Sequence, residues 1–179
     1  VNKDVARLTG EVEIEATAKV GITEAVDEDA MPVKVVQAIS ESNVGEVREL
    51  FEQYAQLRGS EFEAKHFEQE MAELPGVYSP PQGGRLLLAT YEGEAAGCVG
   101  VKKLDATSCE VKRLYVPPQY RGNGIGKMLV MAALAQRKEH KVKKVVAATD
   151  LNMRVAMLIF DEHGFKQTSN GHFELDLSA

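Results

Sequence analysis

The sequence predicts a single α/β domain whose central sheet is mixed, with about seven strands flanked by four helices. Three strand-like runs, at residues 85–91, 95–104 and 108–116, follow one another with short turns, which is typical of an antiparallel meander. A helix-like run at 125–137 then leads to another strand-like run at 142–148. Because a strand, a crossover helix and a second strand place the two strands in parallel, the sheet should contain both strand directions.

The composition is that of one ordinary globular domain. The chain has 179 residues, of which 44% are hydrophobic and 27% are charged. Its formal net charge of -6 argues against a nucleic acid or an anionic membrane as partner, because either would favour a basic surface. No run approaches the roughly 20 apolar residues of a membrane span, and no signal-peptide pattern is visible. We therefore expect a cytoplasmic protein.

Residues 1–32 stand apart as an N-terminal extension, and the main domain is predicted to comprise residues 33–179. Within the extension, residues 11–20 alternate between apolar and polar side chains, which predicts an added edge strand. Such a strand could pair with its own sheet or with a second copy of the chain. A homodimer is therefore one of the expected states.

The main domain begins with a strand and two helices. Residues 33–39 are strand-like, and the polar run at 40–43 supplies several candidate N-caps for a first helix. A second helix is predicted over residues 60–74, where Pro75 ends it. The apolar side chains predicted to face the core from these two helices are Val44, Val47, Leu50, Phe51, Tyr54, Phe62, Phe67 and Met71.

The elements after the meander are a helix, a strand, a helix and two closing strands. Apolar residues recur on one face of the helix at 125–137, and the strand at 142–148 is expected to be fully buried. Asn152 is a candidate N-cap of a helix that runs through His163, and alternation around Phe173 predicts the last strand. The apolar face of the first of these helices consists of Ile125, Met128, Leu129, Ala132 and Ala135.

A glycine-rich loop between the strand at 108–116 and the helix at 125–137 predicts a phosphate site. Gly122, Gly124 and Gly126 alternate with other residues, and the following helix offers unpaired N–H groups and the positive end of its dipole. The loop is not a Walker motif, because Arg121 occupies the place of the first glycine and no hydroxyl follows Lys127. It is not a dinucleotide fingerprint either, since the glycine spacing differs. We expect no metal ion.

Three strings together identify a family resemblance: Glu110 to Pro117, Arg121 to Gly126, and the spaced set Met153, Ala156, Phe160, Gly164 and Phe165. In order and separation they resemble the GCN5-related N-acetyltransferases (GNAT), and small bacterial members in particular. The resemblance covers roughly residues 36–177. It implies the GNAT acyl-CoA N-acyltransferase fold and acetyl-CoA (coenzyme A) as the cofactor.

The resemblance also implies which residues hold that cofactor. The strand before the loop would bind the pantetheine arm through its backbone, while the next parallel strand splays away to leave a slot. The main-chain amides of the loop would bind the diphosphate, with added charge from Arg121 and Lys127. The expected cofactor-binding residues are Leu114, Val116, Arg121, Gly122, Asn123, Gly124, Ile125, Gly126, Lys127, Asn152 and Phe160.

Glu110 is the candidate catalytic base. An alkyl ammonium of pKa near ~10.4 must lose a proton before it can attack a thioester, and a nearby carboxylate can remove it. The alternative is that Glu110 forms an ion pair with Lys112 on the same strand face. The family commonly has a tyrosine acid where this chain has Phe160, so the acid should be missing or relocated. Tyr78 and Tyr115 could replace it, although packing is the commoner role of such tyrosines.

The predicted function is transfer of an acetyl group from acetyl-CoA to the primary amine of a small molecule or of a peptide or protein. The acceptor pocket is expected between the two early helices, the loop at 78–84 and the terminal strands. An alternative function is a catalytically silent acyl-CoA-binding sensor or interaction module. Phe160 and the N-terminal extension motivate this alternative.

Overall fold

The computed structural model describes residues 32–59, 64–135, 141–149 and 154–178. Over these ranges the chain forms a seven-stranded sheet flanked by four α-helices, as the sequence predicts. The strands are β1 (Val33–Gln37), β2 (Arg85–Tyr91), β3 (Glu94–Lys103), β4 (Ser108–Tyr115), β5 (Lys144–Ala148), β6 (Lys166–Ser169) and β7 (His172–Asp176). The helices are α1 (Glu41–Arg58), α2 (Ala64–Glu73), α3 (Ile125–Ala135) and α4 (Arg154–Glu162).

The sheet is mixed, with the order β1-β2-β3-β4-β5-β7-β6. Strands β1 to β4 pair antiparallel in sequence, which confirms the predicted meander. Strand β5 pairs parallel to β4 after the crossover through α3, and β7 then pairs antiparallel with both β5 and β6. The parallel pair therefore lies in the middle of the sheet, where the chain also places the glycine loop.

Helices α1 and α2 cover one face of the sheet over a core of their own. The predicted stripe of α1 is buried, and Ser40 is its N-cap, because its Oγ accepts a hydrogen bond from the amide of Asn43. Phe67 and Met71 of α2 are buried as predicted. The remainder of this core is contributed by β2, β3, β4 and the short helical turn at 76–78.

Helices α3 and α4 cover the opposite face. Ile125, Leu129 and Ala132 are buried as predicted, whereas Ala135 is exposed at the end of α3. The two helices approach closely at Gly126, where an added Cβ would lie 2.8 Å from Ile159 Cδ1. A larger residue at position 126 would therefore require the Ile159 side chain to move.

The expectation that the strand at 142–148 is fully buried is wrong. In β5 only Val145 and Ala147 are buried, and both ends of the strand are exposed. The reason is that α1 packs mainly on β2, β3 and β4, so among the described elements the α1 side of β5 is less covered than its other side. Val146 on that side is half-buried, and Lys144 and Ala148 are exposed.

Several predicted features lie outside the described residues. They are the extension at 1–31 with its edge strand, Phe62 and the start of the second helix, and Asn152. No helix within the described ranges combines the length and apolar content needed to cross a bilayer. Among the described side chains, no group of three or more His, Cys, Asp or Glu residues is placed to hold a metal ion.

Candidate active site

The edge of β4 that faces β5 is open in its second half. The two strands pair in parallel only as far as Val111 of β4, opposite Ala147. Strand β4 continues to Tyr115, so among the described residues the segment 112–115 has no partner from β5. The pairing thus ends one residue before the end of β5 at Ala148. The splay of β5 away from β4 that the family resemblance implies stays a prediction. Beside Leu114, the backbone of β4 has no described partner strand on this edge.

A β-bulge changes the direction in which the side chains of β4 point along this edge. The pairing of β3 with β4 shifts between Cys98 and Gly100, and Arg113 has a φ of 58°, in a left-handed region that non-glycine residues seldom adopt. Residues 111 and 115 would share one face of a regular strand. Here Val111 belongs to the core under α3 and α4, whereas Tyr115 belongs to the core under α1 and α2.

The glycine loop presents a run of unpaired amides next to that edge. No described backbone or side-chain acceptor is hydrogen-bonded to the amides of residues 122–127; the first helical bond runs from Met128 N to Gly124 O, at 3.1 Å. Gly122 and Gly124 have φ of 86° and 75°, and an added Cβ at either would meet nothing within 4 Å. The loop therefore has the donors, the backbone shape and the free space that a phosphate group needs.

The side chains around the loop fix its two ends. Arg121 Nε donates to the Val116 carbonyl at 2.9 Å, and Asn123 Nδ2 donates to the Tyr120 carbonyl at 2.9 Å. These bonds hold the loop against the end of β4. Val116 and Leu114 are half-buried against the core under α3 and α4.

Lys127 is engaged with α4. Its Nζ lies 2.6 Å from Glu162 Oε2, and the two side chains are 53% and 51% exposed. An ion pair this exposed contributes little to stability, typically ~0–1 kcal/mol. The positive character of the loop thus comes mainly from its amides and from Arg121.

Glu110 lies half-buried on the α1 and α2 face of β4. Its neighbours Cys109 and Val111 point to the other face, and Lys102 of β3 stands directly opposite it. The alternative ion pair with Lys112 is not formed: no described cation lies within 4.0 Å of the Glu110 carboxylate. The carboxylate is therefore available to a ligand on this face.

A pocket of about 320 Å³ opens on the same face. Its walls are α2 and the turn at 75–78, and its floor is formed by β3 and β4. The predicted terminal strands do not line it, because β6 and β7 lie at the opposite edge of the sheet. Its polar lining comprises His66, Glu70, Glu73, Tyr78, Lys102 and Lys112.

One wall of the pocket is a hydrogen-bonded network that the sequence did not reveal. Arg113 donates to both carboxylate oxygens of Glu70, from Nη2 at 2.7 Å and from Nε at 3.2 Å, with the side chains 15% and 14% exposed. The Tyr78 hydroxyl also donates to Glu70. The guanidinium lies over the rings of Tyr54 and Phe67, at 5.8 Å and 5.5 Å from their centroids. The bulge of β4 is thus fastened to α2.

The pKa values of this network follow from its contacts. Burial by itself raises the pKa of the Glu70 carboxyl, but hydrogen bonds from Arg113 and Tyr78 and the charge of Arg113 outweigh burial, so the pKa lies below its ordinary value. Burial raises the pKa of the Tyr78 hydroxyl, and the carboxylates of Glu70 and Glu110 raise it further. Tyr78 is therefore a neutral structural donor.

Like Tyr78, the other two aromatic positions considered for acid catalysis are buried. Phe160 is 2% exposed and packs against Phe165 and Phe173, with ring centroids 5.2 Å and 5.6 Å apart. The Tyr115 hydroxyl donates to Gln53 Oε1 at 3.4 Å, and burial raises its pKa. Neither position offers a free hydroxyl to the open edge of β4.

The comparisons with known proteins agree with this geometry. Residues 46–165 match the Acetyltransferase (GNAT) family. The chain is 26% identical to an uncharacterized N-acetyltransferase of Dictyostelium discoideum over 75% of this chain and 89% of that protein. It is 31% identical to one of Schizosaccharomyces pombe over 66% and 74%, respectively. The structure of an N-acetyltransferase from Thermoplasma acidophilum in complex with coenzyme A is similar in fold, with TM-score 0.62, 19% identity and coverage of 82% of this chain and 99% of that one.

The chain belongs to the acetyltransferase (GNAT) family, because the family match covers well over half of its length. The predicted fold and the predicted class of enzyme, an N-acetyltransferase, are thereby confirmed. The alternative of a silent binding module is not favoured by relatives that are N-acetyltransferases. The narrower prediction of a bacterial-type member stays a prediction, since these two relatives are eukaryotic.

Proposed function

We propose that the protein transfers an acetyl group directly from acetyl-CoA to the primary amine of a small molecule or of a peptide or protein. The observation that carries the proposal is the run of unpaired amides at 122–127 beside the open edge of β4. These amides would bind the diphosphate, and the backbone beside Leu114 would bind the pantetheine arm as an extra strand. The coenzyme A complex of the Thermoplasma relative supports this choice of cofactor.

Bound acetyl-CoA would supply an acetyl group activated as a thioester. The chain's own contribution begins with Glu110, which takes the proton from the acceptor's ammonium, directly or through a water. General-base assistance of this kind is worth about 10²–10⁴-fold in rate. Main-chain amides at 114–116 are the proposed donors to the negative charge that develops on the acyl oxygen.

No side-chain acid is assigned to the departing thiolate. Phe160 has no hydroxyl, and the hydroxyls of Tyr78 and Tyr115 are engaged with Glu70 and Gln53. A thiol of pKa near ~8.5 is a tolerable leaving group as the thiolate, so the reaction does not depend on an acid.

Thiol release from acetyl-CoA, followed over a panel of amines, tests the proposal. Release that requires both the amine and the protein is the expected result. Calorimetric titration with coenzyme A measures binding directly. The absence of heat at millimolar cofactor would contradict the assignment of the glycine loop as the diphosphate site. A cytoplasmic location and a homodimer stay predictions, and light scattering on the full chain and on residues 33–179 would test the second.

A further inference from the structure

The floor of the pocket carries two lysines that have no partner in the described chain. Lys102 and Lys112 are half-buried on the α1 and α2 face, and neither forms an ion pair or hydrogen bond with a described residue. Lys102 stands directly across from Glu110, where β-carbons of an antiparallel pair are ~4.5–5.5 Å apart, yet the charged ends do not meet within 4.0 Å. Two positive charges, on Lys102 and Lys112, and one negative charge, on Glu110, thus lie without a described ion-pair partner on the same face of β3 and β4.

Neither carboxylate that lines the pocket forms an ion pair with these lysines, although the charge of Lys112 also acts on Glu70 and lowers its pKa. The Glu70 carboxylate is already held by Arg113 through two hydrogen bonds, so its charge is compensated. Glu73 is exposed on the rim and accepts from Gln69 Nε2 at 3.0 Å. Lys102 and Lys112 are therefore the charged side chains of the floor without a described ion-pair partner, and Glu110, which does not line the pocket, lies beside Lys102 on the same face of the sheet.

The shape of the pocket keeps the lysines at its floor. Gly100 pairs with Lys112, and an added Cβ at Gly100 would lie 2.5 Å from the ring of Tyr78. Because position 100 has no side chain, the Tyr78 ring lies directly on β3 and forms the wall beside Lys112. Lys102 and Lys112 therefore line the same pocket as this ring and α2.

An acceptor with an amine alone would bring a third positive charge to this floor. Like charges this close repel, whereas an acidic group next to the amine would offset both lysines. Building on the proposed function, we infer that the acceptor is an amino carboxylate, such as a free amino acid. Its carboxylate binds Lys102 and Lys112, and its amine is presented to Glu110.

The experiment compares amino acids with their decarboxylated amines and their amides, at a pH that matches the fraction of free amine. Thiol release from acetyl-CoA is the readout. We expect kcat/KM to favour the carboxylates by about tenfold or more, the ratio that one good charged contact provides. Equal use of the carboxylates and the uncharged analogues would overturn the acceptor class while leaving the proposed function intact. No release from any acceptor would refute the proposed function itself.

Two substitutions test whether these lysines cause the preference for carboxylates. Lys102→Met and Lys112→Met keep the aliphatic stem and remove the charge, and each should raise KM for the amino acid about tenfold without raising KM for the decarboxylated amine. Lys112→Arg should retain the preference. Lys103→Met is the matched control, since Lys103 is exposed and does not line this pocket. An equal loss on both classes of acceptor would overturn the inference.

Discussion

Replacing Glu70 by glutamine should destabilise the protein far more than replacing an exposed glutamate would. The change removes the carboxylate that accepts two hydrogen bonds from Arg113, whose side chain is 15% exposed against two aromatic rings. Breaking one side of a buried ion pair costs about 3–5 kcal/mol, and the residual exposure puts our expectation near 3 kcal/mol. For a domain of this size that corresponds to a fall in Tm of roughly 6–12 °C.

Thermal unfolding followed by circular dichroism measures this effect. Glu162→Gln is the matched control, because it removes the exposed partner of Lys127 and should cost under about 1 kcal/mol. Arg113→Gly and Arg113→Ala separate the ion pair from the backbone. Glycine relieves the left-handed φ of 58°, so it should be less destabilising than alanine by about 1 kcal/mol. If Glu70→Gln unfolds at the same temperature as Glu162→Gln, the reasoning about the buried ion pair is refuted. If Arg113→Ala unfolds at a higher temperature than Arg113→Gly, the inferred backbone strain at the bulge is refuted.

Three further predictions concern pH, the glycine loop and the base. The pKa of Glu70 is lower in the folded protein than in the unfolded chain, so its stabilising effect is present above the unfolded pKa and is lost as pH falls through the folded pKa. The difference in Tm between the parent protein and Glu70→Gln should therefore become smaller in acid, and a difference that does not change with pH would contradict this. Gly124→Asn should weaken coenzyme A binding about tenfold as measured by calorimetry, because the asparagine side chain enters the open space at the glycine loop. Gly93→Asn is the control and should not weaken binding, since Gly93 also has a positive φ, of 86°, and open space around it. Glu110→Gln should lower kcat by about 10²–10⁴-fold with little change in KM for acetyl-CoA, and a loss under about threefold would remove it as base.

Features governed by local periodicity could be predicted from the sequence. The meander, the buried stripe of α1 and the glycine loop each follow from the spacing of a few neighbouring residues, such as Val44 and Val47 or Gly122 and Gly124. These features agree with the structure because local spacing and tertiary packing favour the same conformation.

Features that depend on distant partners could not be predicted. Glu70 and Arg113 are 43 positions apart, and no spacing rule connects a residue of α2 with a bulge in β4. The less covered face of β5 depends on where α1 ends its coverage of the sheet. The partner of Lys127 likewise depends on how α3 and α4 cross.

The bulge joins the two halves of the candidate site. Its left-handed residue, Arg113, changes the direction of the β4 edge that would face the proposed cofactor, and the side chain of Arg113 binds Glu70 in the wall of the proposed acceptor pocket. A shift of α2 would therefore displace the guanidinium and with it the backbone on which the acyl group would lie. A left-handed conformation costs roughly 1–2 kcal/mol in a non-glycine residue, and the bidentate pair offsets that cost. Arginine at 113 thus adopts a backbone conformation that glycine would adopt without strain, and its side chain connects the bulge of β4 to Glu70 of α2.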